Sequence, residues 1–376
     1  MKKMFSIMSF VLLSACSTTK EANQINIPKD SVSKKIFTLK SPTFIGKTMG
    51  EQEVFLGGFS GIHFKEIRDG NYYFQVLTDR GPTIRLNKEQ TYFVLPDYQP
   101  QLSILKADTN TQEISVSATI PLKQFEDKAV TGLPTSREIE NPTDLFGFSY
   151  SIDKDGMNLR GLEQKSDGTF WSADEYLPSL LGFRSNGNLQ RRLYATNGLP
   201  RIYLEKSNDQ GFKTATLKDD MLYGFIPNFK SEQVDKNKNT YRIVKVDTEQ
   251  LRTENEYLYK LETATSELVA AAAISDKKMM VLEKSSNNHY KLYLIDHFQS
   301  DSLVEKKLIL DLYDLKLPIK DRISDFTIID EKSLAFVTNN NYQLNNSIDK
   351  KNGLVTFNQS PSQIILLSFQ QSLFDL

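Results

Sequence analysis

The chain has 376 residues, of which 25% are charged, and its formal net charge at neutral pH is -1. This balance excludes a nucleic-acid-binding protein that relies on a basic surface. The sequence contains 23 Phe and 16 Tyr, and aromatic and β-branched residues favour strands with large packed faces. The length allows two ordinary domains, but an all-β propeller of this size commonly has one core, so we expect a single domain over residues 34–376.

The N-terminus has the pattern of an export signal. Lys2 and Lys3 precede an apolar run over residues 4–13, which is too short to span a bilayer, and small residues follow it. The segment Leu13-Ser14-Ala15-Cys16 resembles the bacterial lipoprotein box, and Cys16 is the only cysteine in the chain. The alternative is an ordinary secretory signal followed by an incidental free thiol.

We therefore expect a signal peptide over residues 1–15, acyl chains on Cys16 and a polar tether over residues 16–33. Ser17, rather than Asp, follows the cysteine. In bacteria with two membranes that pattern implies sorting to the outer membrane. The expected location is therefore the bacterial cell envelope, with the protein held by a lipid anchor.

Short runs rich in β-branched and aromatic residues follow the tether and predict strands. A strand at residues 35–39 has no immediate partner. The remaining predicted strands fall into five sets, and the last set is one strand short. They are residues 59–64, 72–77, 102–105 and 114–118; a pair around Asp167-Gly168 with 180–183 and 189–194; 212–217, 221–226, 241–246 and 257–261; 268–274, 278–282, 290–295 and 307–310; and 326–329, 333–337 and 363–367.

The strand at residues 35–39 would complete the fifth set and cover its open edge. The first strands of the sets open at Ser60, Arg160, Lys213, Glu267 and Asp325, and the last four positions are 53, 54 and 58 residues apart. A period of this length is typical of a propeller. We predict an all-β fold, a β-propeller of five four-stranded blades closed by the N-terminal strand. A sixth, degenerate blade inside the proline-containing excursion at residues 121–158 is the alternative.

The strand pattern also predicts which polar residues meet. In an antiparallel pair, the residue that opens the first strand lies beside the residues that close the second. The turn at Asp167-Gly168 therefore places Arg160, Asp174 and Glu175 on one rim. The same reasoning brings further polar residues to this rim: Ser60, Asp79, Arg80, Lys213, Asn228, Glu267, Glu283, Asp325, Asn339, Asn340 and Asn341.

Two kinds of chemistry fit such a rim. Carboxylates and amides are hard oxygen ligands suited to calcium, and the cations suit an anionic oxygen such as that of phosphate. The alternative is that the charges form mutual salt bridges that fill the hub. The sequence Gly57-Gly-Phe-Ser-Gly61 lacks the Gly-x-Ser-x-Gly spacing of a nucleophile elbow, which argues against a Ser-His-Asp hydrolase.

Several motifs occur in the order found in a known family. They are Phe55-Leu-Gly-Gly-Phe-Ser-Gly-Ile62, Leu77-Thr-Asp-Arg-Gly-Pro82, Thr131-Gly-Leu-Pro134, Asp167-Gly-Thr-Phe-Trp-Ser-Ala-Asp-Glu-Tyr176, Gly211-Phe212, Val281-Leu-Glu-Lys284 and Asn339-Asn-Asn-Tyr342. In this order they resemble the phytase-like family of bacterial propellers, also described as having "esterase-like activity of phytase". The resemblance covers essentially everything after the tether. It implies calcium-assisted hydrolysis of phosphoesters or esters in an exported propeller.

The sequence departs from the family pattern at the hub. The family typically has Glu before Gly where the inner strands open, and these positions hold Arg160 and Lys213, while the last blade has Asp325-Phe326. The usual Asp-Asn-Asp is replaced by Asn339-Asn340-Asn341. Negative charge is therefore reduced at the hub, which favours a member that binds without catalysis.

From these observations we expect a monomeric, lipid-anchored envelope protein whose hub binds a small anionic ligand, with no nucleic acid as partner. The expected ligand contacts are Ser60, Asn228, Glu267, Asp325 and Asn340. In a hydrolase, calcium held by Asp79, Asp174, Glu175 and Glu283 would polarise the ester, and the catalytic residues would be Asp174 as general base, Glu175, Arg80, Arg160 and Lys213. The alternative is a non-catalytic envelope propeller that holds a glycan, a peptide or a partner protein.

Overall fold

The structure is a computed structural model that describes residues 25, 27–87, 90–137, 140–205, 211–228, 239–286 and 289–376. These residues form strands joined by turns and by short 3-10 helices at Lys29–Ser31, Phe125–Asp127, Arg201–Glu205, Leu312–Leu315 and Asn341–Gln343. The described part of the chain has no helix long and apolar enough to cross a membrane. The expected signal peptide and the lipidation site at Cys16 lie outside the described residues.

Five mainly antiparallel sheets contain most of the described chain. The first sheet has β4 (Phe59–Arg68), β5 (Asn71–Thr78), β8 (Gln101–Ala107) and β9 (Ile114–Pro121); the second has β11 (Leu159–Gln164), β12 (Phe170–Asp174), β13 (Ser179–Phe183), β14 (Leu189–Ala195) and β15 (Gly198–Leu199); the third has β16 (Thr214–Lys218), β17 (Met221–Pro227), β18 (Thr240–Asp247) and β19 (Arg252–Lys260); the fourth has β20 (Glu267–Ser275), β21 (Lys278–Lys284), β22 (Tyr290–Asp296) and β23 (Glu305–Asp311); the fifth has β24 (Arg322–Asp330), β25 (Ser333–Asn339), β28 (Gln363–Phe369) and β1 (Val32–Thr38).

The fifth sheet combines the two ends of the chain. Strand β1 pairs with β28 over its whole length, from Val32 opposite Phe369 to Thr38 opposite Gln363. The prediction that the N-terminal strand finds its partner near the C-terminus is therefore confirmed. The pairing also covers what would otherwise be an open sheet edge.

Hydrophobic cores lie between consecutive sheets. Phe170 and Leu102 share a core between the first and second sheets, while Phe59 and Val337 share one between the first and the fifth. The first strands also neighbour one another, since β4, β11, β16, β20 and β24 pack in that order and β24 returns to β4. This is a propeller-like order in which the first strand of each sheet is innermost.

Three small sheets form from segments that the sequence did not mark as strands. They are the pair β2 (Phe44–Lys47) and β3 (Glu53–Phe55), the sheet of β6 (Thr83–Arg85), β7 (Gln90–Phe93) and β10 (Asn141–Thr143), and the pair β26 (Leu344–Asp349) and β27 (Leu354–Phe357). Their side chains share one apolar cluster that includes Val54, Tyr92 and Leu344. The excursion at residues 121–158 contributes β10, which pairs in parallel with β7. The excursion therefore packs against the connection between β5 and β8.

Candidate functional site

The strands β11 and β12 place opposite charges at one end of the second sheet. We call this end, together with the polar residues of neighbouring sheets that meet it, the hub rim. Arg160 lies opposite Ala173, and Leu159 lies opposite Asp174. The connecting turn closes through the Gly168 N–H, which donates to the Lys165 carbonyl at 3.0 Å, and Gly168 has φ of +87°. Glycine adopts that conformation without strain. The predicted turn and the predicted meeting of Arg160 with Glu175 are both confirmed.

Glu175 lies between two cations on the hub rim. Its Oε2 is 2.7 Å from Arg160 Nε, and its Oε1 is 2.7 Å from Lys213 Nζ. Asn158 Nδ2 also donates to Oε2 at 3.0 Å. Burial would raise the pKa of Glu175, but Arg160 and Lys213 outweigh it and hold the pKa well below its usual range. Glu175 is therefore a weak base that fixes the two cations in place.

A second ion-pair group lies beside the first. Arg80 Nη1 contacts Glu140 Oε1 and donates to the Tyr176 hydroxyl at 3.0 Å. Arg85 Nη2 is 3.3 Å from the other oxygen of Glu140, whose side chain is only 1% exposed. Asp79, the neighbour of Arg80, is close enough to Arg160 for the charges to interact. The rim residues of the first, second and third sheets thus form one electrostatic group.

Asp79 is held by the asparagine-rich motif of the fifth sheet. Asn339 Nδ2 donates to Asp79 Oδ2 at 2.9 Å, and the Tyr342 hydroxyl donates to Oδ1 at 3.3 Å. The Gly81 N–H also donates to Oδ1. Burial raises the pKa of Asp79 above its ordinary value, although Arg160 and Asn339 oppose the rise. The motif therefore fixes the Asp79-Arg80 turn in position.

Two motif glycines permit close backbone contacts at the rim. A Cβ atom on Gly132 would lie 1.7 Å from the carbonyl oxygen of Arg80. A Cβ atom on Gly211 would lie 2.2 Å from the carbonyl oxygen of Asp174. The segment that carries Gly132 also brings Glu140 to Arg80. These glycines therefore set the positions of charged residues.

Asp174 points away from the exposed part of the rim. Its side chain is fully buried, and Oδ1 accepts from the N–H groups of Asn158 at 3.2 Å and Tyr176 at 3.0 Å. Ser179 Oγ donates to Oδ2 at 3.3 Å, and Arg192 Nη2 lies 3.7 Å from Oδ2. Burial raises the pKa of Asp174 to about 6, although Arg192 and the backbone donors oppose the rise. Adjacent residues at the end of β12 thus differ, with Glu175 at the rim and Asp174 in the core.

The contacts of Glu283 are to residues other than those of the ion-pair group. Its Oε1 contacts Lys306 Nζ and the Tyr259 hydroxyl, and its Oε2 accepts from the Glu262 N–H at 3.0 Å. Burial lowers the pKa of Lys306, and Glu283 opposes the change. This buried pair belongs to the interface between the third and fourth sheets.

The four carboxylates expected to hold calcium do not form a single ligand set. Calcium requires six to eight oxygens around one point. Within the described part of the chain, the only three acidic or histidine ligand atoms that lie within 4.8 Å of one another belong to Asp296, His297 and Glu305. Asp79, Asp174, Glu175 and Glu283 each have protein donors or cations instead. The donor set therefore does not fit one calcium ion.

The expected ligand contacts also bind protein groups. Ser60 is fully buried, and Asp325 accepts from the Ile62 N–H at 2.8 Å. Asn228 accepts from Arg242 Nε at 2.9 Å. Asn340 accepts from the Gly58 N–H and donates to the Ser360 carbonyl. Glu267 is exposed and lies 3.6 Å from Arg322 Nη2.

Sequence reasoning missed Glu140, Arg85 and Tyr241. Tyr241 lies near three acidic side chains, and burial, then Glu175, Glu267 and Glu283, raise the pKa of its hydroxyl. Glu140 lies in the excursion, where no strand period predicts its position. The signal that could have found it is the neighbouring Thr131-Gly-Leu-Pro134 motif, since Gly132 packs on Arg80.

A large cavity lies between the fourth sheet and the start of the fifth sheet. Its volume is about 760 Å³, and it is lined by residues that include His289, Tyr313, Lys320 and Arg322. The His289 and Tyr313 rings stack with centroids 4.1 Å apart. Arg322 connects the cavity to the rim through Glu267. Lys316, Lys320 and Arg322 in its lining are basic, and Asp321 is acidic.

The ordered motifs now have structural roles, and they agree with a family match. Residues 54–342, more than half of the chain, match the family described as "Phytase-like: Esterase-like activity of phytase". The chain belongs to this phytase-like family. Every charged residue of the hub rim lies within the matched range. No curated protein matches the chain.

Solved structures give distant likenesses to this member of the phytase-like family. The catalytic domain of Coprinopsis cinerea GH62 alpha-L-arabinofuranosidase has a TM-score of 0.41 at 7% identity, covering 90% of this chain and 98% of its own. Luciferin-regenerating enzyme gives 0.39 at 10% identity, covering 90% and 97%. Virginiamycin B lyase from Staphylococcus aureus gives 0.37 at 12% identity, covering 90% and 99%. TM-scores this low do not establish a shared fold.

Proposed function

We propose that the hub rim of this phytase-like protein binds a small anionic ligand, such as a phosphoester or a carboxylate ester. The observation that supports this most strongly is the pair of cations fixed on either side of Glu175. The side chains of Arg160 and Lys213 are 21% and 23% exposed. They can therefore meet a ligand that arrives from solvent.

The hydrogen-bonding capacity of the two cations supports the proposal. Arg160 uses Nε for Glu175, and a guanidinium has five N–H donors. Lys213 uses Nζ for Glu175, and an ammonium has three. Charge-assisted hydrogen bonds of this kind are short and strong with phosphate or carboxylate oxygens. The excess donors would hold the ligand while Glu175 keeps the cations aligned.

The test is calorimetric titration of the purified full chain with inorganic phosphate and with myo-inositol hexakisphosphate at constant chloride. We expect saturable binding that Arg160→Gln weakens about tenfold, because a charge-assisted hydrogen bond is lost. Arg184→Gln is the matched control, since Arg184 is exposed at the end of the second sheet's third strand. Absence of binding for both anions, or equal weakening by the two variants, would exclude a hub-rim anion site. A stoichiometric protein partner captured from detergent-solubilised envelopes would favour the non-catalytic alternative.

Hydrolysis at the same rim is the second candidate, and the family match favours it. Asp174 is the proposed general base because its pKa of about 6 suits proton transfer near neutral pH. The cations on Glu175 hold that carboxylate at too low a pKa for this role. Because Asp174 is fully buried, hydrolysis would require movement of residues 174–179. Arg160 and Lys213 would stabilise charge on the departing oxygen.

The arrangement of the sheets supports a finer description of the fold. We infer that the five sheets are the complete set of blades and that β1 closes the ring. The supporting observations are the core shared by the first and fifth sheets and the contact between β24 and β4. Deleting residues 1–38 should abolish cooperative unfolding of the purified chain. A deleted chain that unfolds as cooperatively as the full chain would contradict closure by β1.

We further propose that the protein is exported and anchored through lipid on Cys16, as a monomer in the bacterial envelope. The supporting observation is the Leu13-Ser14-Ala15-Cys16 sequence after an apolar run. Metabolic labelling with a radioactive fatty acid should label the wild type and leave Cys16→Ser unlabelled. Labelling of both, or of neither, would exclude the anchor.

A further inference from the structure

The cavity between the fourth sheet and the start of the fifth sheet has its own set of cations. Its volume of about 760 Å³ is in the range usual for small-molecule sites. The connection between β23 and β24, residues 312–321, forms most of its lining. Neither Arg160 nor Lys213 lines it, so the cavity is separate from the anion site proposed at the hub rim.

Several contacts hold this connection in place. Asp311 Oδ1 accepts from the Tyr313 N–H at 3.0 Å, at the start of the 3-10 turn that follows β23. Lys34 Nζ, on β1, donates to the Leu315 carbonyl at 2.6 Å. Leu312 and Leu315 are buried in a core that the fourth and fifth sheets share. The walls of the cavity are therefore largely formed before a ligand arrives, which reduces the ordering cost of binding.

Lys316 and Lys320 bring two unpaired ammonium groups to the cavity. Both residues are exposed, and neither ammonium has an ion-pair or hydrogen-bond partner among the described residues. Arg322 adds a guanidinium whose side chain is 44% exposed. Its Nη2 lies 3.6 Å from Glu267, which exceeds the length of a hydrogen bond. All three cations can therefore meet a ligand that arrives from solvent.

The acidic residue of the lining is already engaged by a protein donor. Ser360 Oγ donates to Asp321 Oδ2 at 2.5 Å. Burial raises the pKa of Asp321, although Ser360 and Lys320 oppose the rise. Three cations against one carboxylate leave the described lining net positive. A phosphate group suits such a set, because its oxygens accept several charge-assisted hydrogen bonds at once.

An aromatic ring is exposed in the same lining. Tyr313 is 63% exposed, and its ring stacks on His289 with centroids 4.1 Å apart and planes 26° apart. The His289 ring supports the phenol and leaves much of its surface free. Leu317 and Ile319, both half-buried, add apolar surface to the cavity. A planar ring stacked on Tyr313 would therefore bury apolar surface close to the cations.

We propose that this cavity binds a planar aromatic phosphate monoester, such as a nucleoside monophosphate, with its phosphate on Lys316, Lys320 and Arg322 and its ring stacked on Tyr313. An inorganic anion would leave the Tyr313 ring uncovered. An uncharged aromatic compound would leave the ammonium groups without a partner. Only a ligand with both parts uses the whole lining, and this binding does not depend on the anion site proposed at the hub rim.

The test is fluorescence titration of the full chain with 2-aminopurine riboside 5′-monophosphate, whose emission falls when its base stacks on an aromatic ring. We expect saturable quenching, and at least tenfold weaker binding of the uncharged riboside, because it lacks the phosphate. Lys320→Gln should weaken binding of the monophosphate about tenfold. Lys332→Gln is the matched control, because Lys332 is exposed in the turn between β24 and β25, outside the cavity. It should leave binding unchanged.

Two substitutions of Tyr313 test the stacking without changing a buried group. Tyr313→Leu removes the ring and should weaken binding of the monophosphate at least fivefold, since stacking of a base on an aromatic side chain is lost. Tyr313→Phe keeps the ring and should bind the monophosphate as tightly as the wild type. The two variants therefore separate the role of the ring from that of the hydroxyl.

The proposal is overturned if the monophosphate does not quench at millimolar concentration, or if the uncharged riboside binds as tightly. It is also overturned if Lys332→Gln weakens binding as much as Lys320→Gln does, or if Tyr313→Leu binds as tightly as Tyr313→Phe. Arg160→Gln, which removes a cation of the hub rim, separates the two sites. A loss of quenching in that variant equal to the loss in Lys320→Gln would assign the binding to the hub rim and overturn the proposal.

Discussion

Neutralising Glu175 is the sharpest test of the hub rim, because the carboxylate holds two cations at once. Its oxygens lie 2.7 Å from Arg160 and from Lys213, and the three side chains are 17%, 21% and 23% exposed. Removing one partner from a largely buried ion pair costs about 3 kcal/mol. With an unfolding entropy of about 2.1 cal/mol/K per residue over roughly 340 residues, Glu175→Gln should lower the Tm by about 4 °C.

Calorimetric unfolding of the full chain at neutral pH measures this difference. The matched control is Glu113→Gln, because Glu113 pairs with Lys40 at 2.6 Å while both side chains are exposed. An exposed pair contributes little, so this variant should change the Tm by less than about 1 °C. A Glu175→Gln Tm within 1 °C of the wild type would refute the account of the rim as a buried ion-pair group.

The pH dependence supplies an independent check. The pKa of Glu175 is lower in the folded state than in the unfolded state, because Arg160 and Lys213 outweigh the effect of burial. Its contribution to the free energy of unfolding is therefore present above the unfolded pKa of about 4.3 and is lost as the pH falls through the folded pKa. The stability difference between wild type and Glu175→Gln should shrink below pH 4. A difference that stays constant to pH 2 would contradict the assignment.

Three further outcomes follow from the rim. Asp174→Asn should keep the fold, since an amide oxygen can accept from the same backbone groups, and should abolish any phosphoester or ester turnover. Turnover by the wild type should rise with pH through about 6, the pKa of Asp174. Turnover retained in the variant would exclude Asp174 as the general base. Calcium up to millimolar concentration should leave the Tm of the chelator-treated protein unchanged, and a saturable rise would reveal a calcium site. Gly132→Ala should cost about 3 kcal/mol, because its Cβ would meet the Arg80 carbonyl at 1.7 Å. Gly147→Ala, which has open space but φ of +98°, should cost about 1 kcal/mol, and equal losses in chemical denaturation would contradict the close-contact argument.

The large strands were predictable because their patterns are strong and their partners are mostly adjacent in sequence. The alanine-rich run at residues 268–274 has helical propensity, yet its place in the repeat indicated a strand, and it forms β20. Its alanines fit where the first strands of neighbouring sheets approach closely. The strands β6 and β10 have three residues each, which is too few for an alternating pattern to be recognised.

The rim was predictable in part for the same reason. Antiparallel pairing alone places Arg160 beside Glu175, whatever the rest of the fold does. It does not say which of two consecutive carboxylates faces the solvent, and the structure buries Asp174 while leaving Glu175 at the rim. Glu140 could not be found, because its contact with Arg80 joins residues 60 positions apart through a segment without a repeat.

The pairing of β1 with β28 has a consequence for synthesis. The seven residues of β1 leave the ribosome near the start of translation, but their backbone partners, residues 363–369, are made at the end. Contacts of such sequence separation form late, because the intervening chain must first be ordered. A chain cut short before Gln363 would therefore keep β1 as an unpaired strand, ready to pair with another chain and aggregate. The first strand of the protein therefore pairs only when residues 363–369 are present.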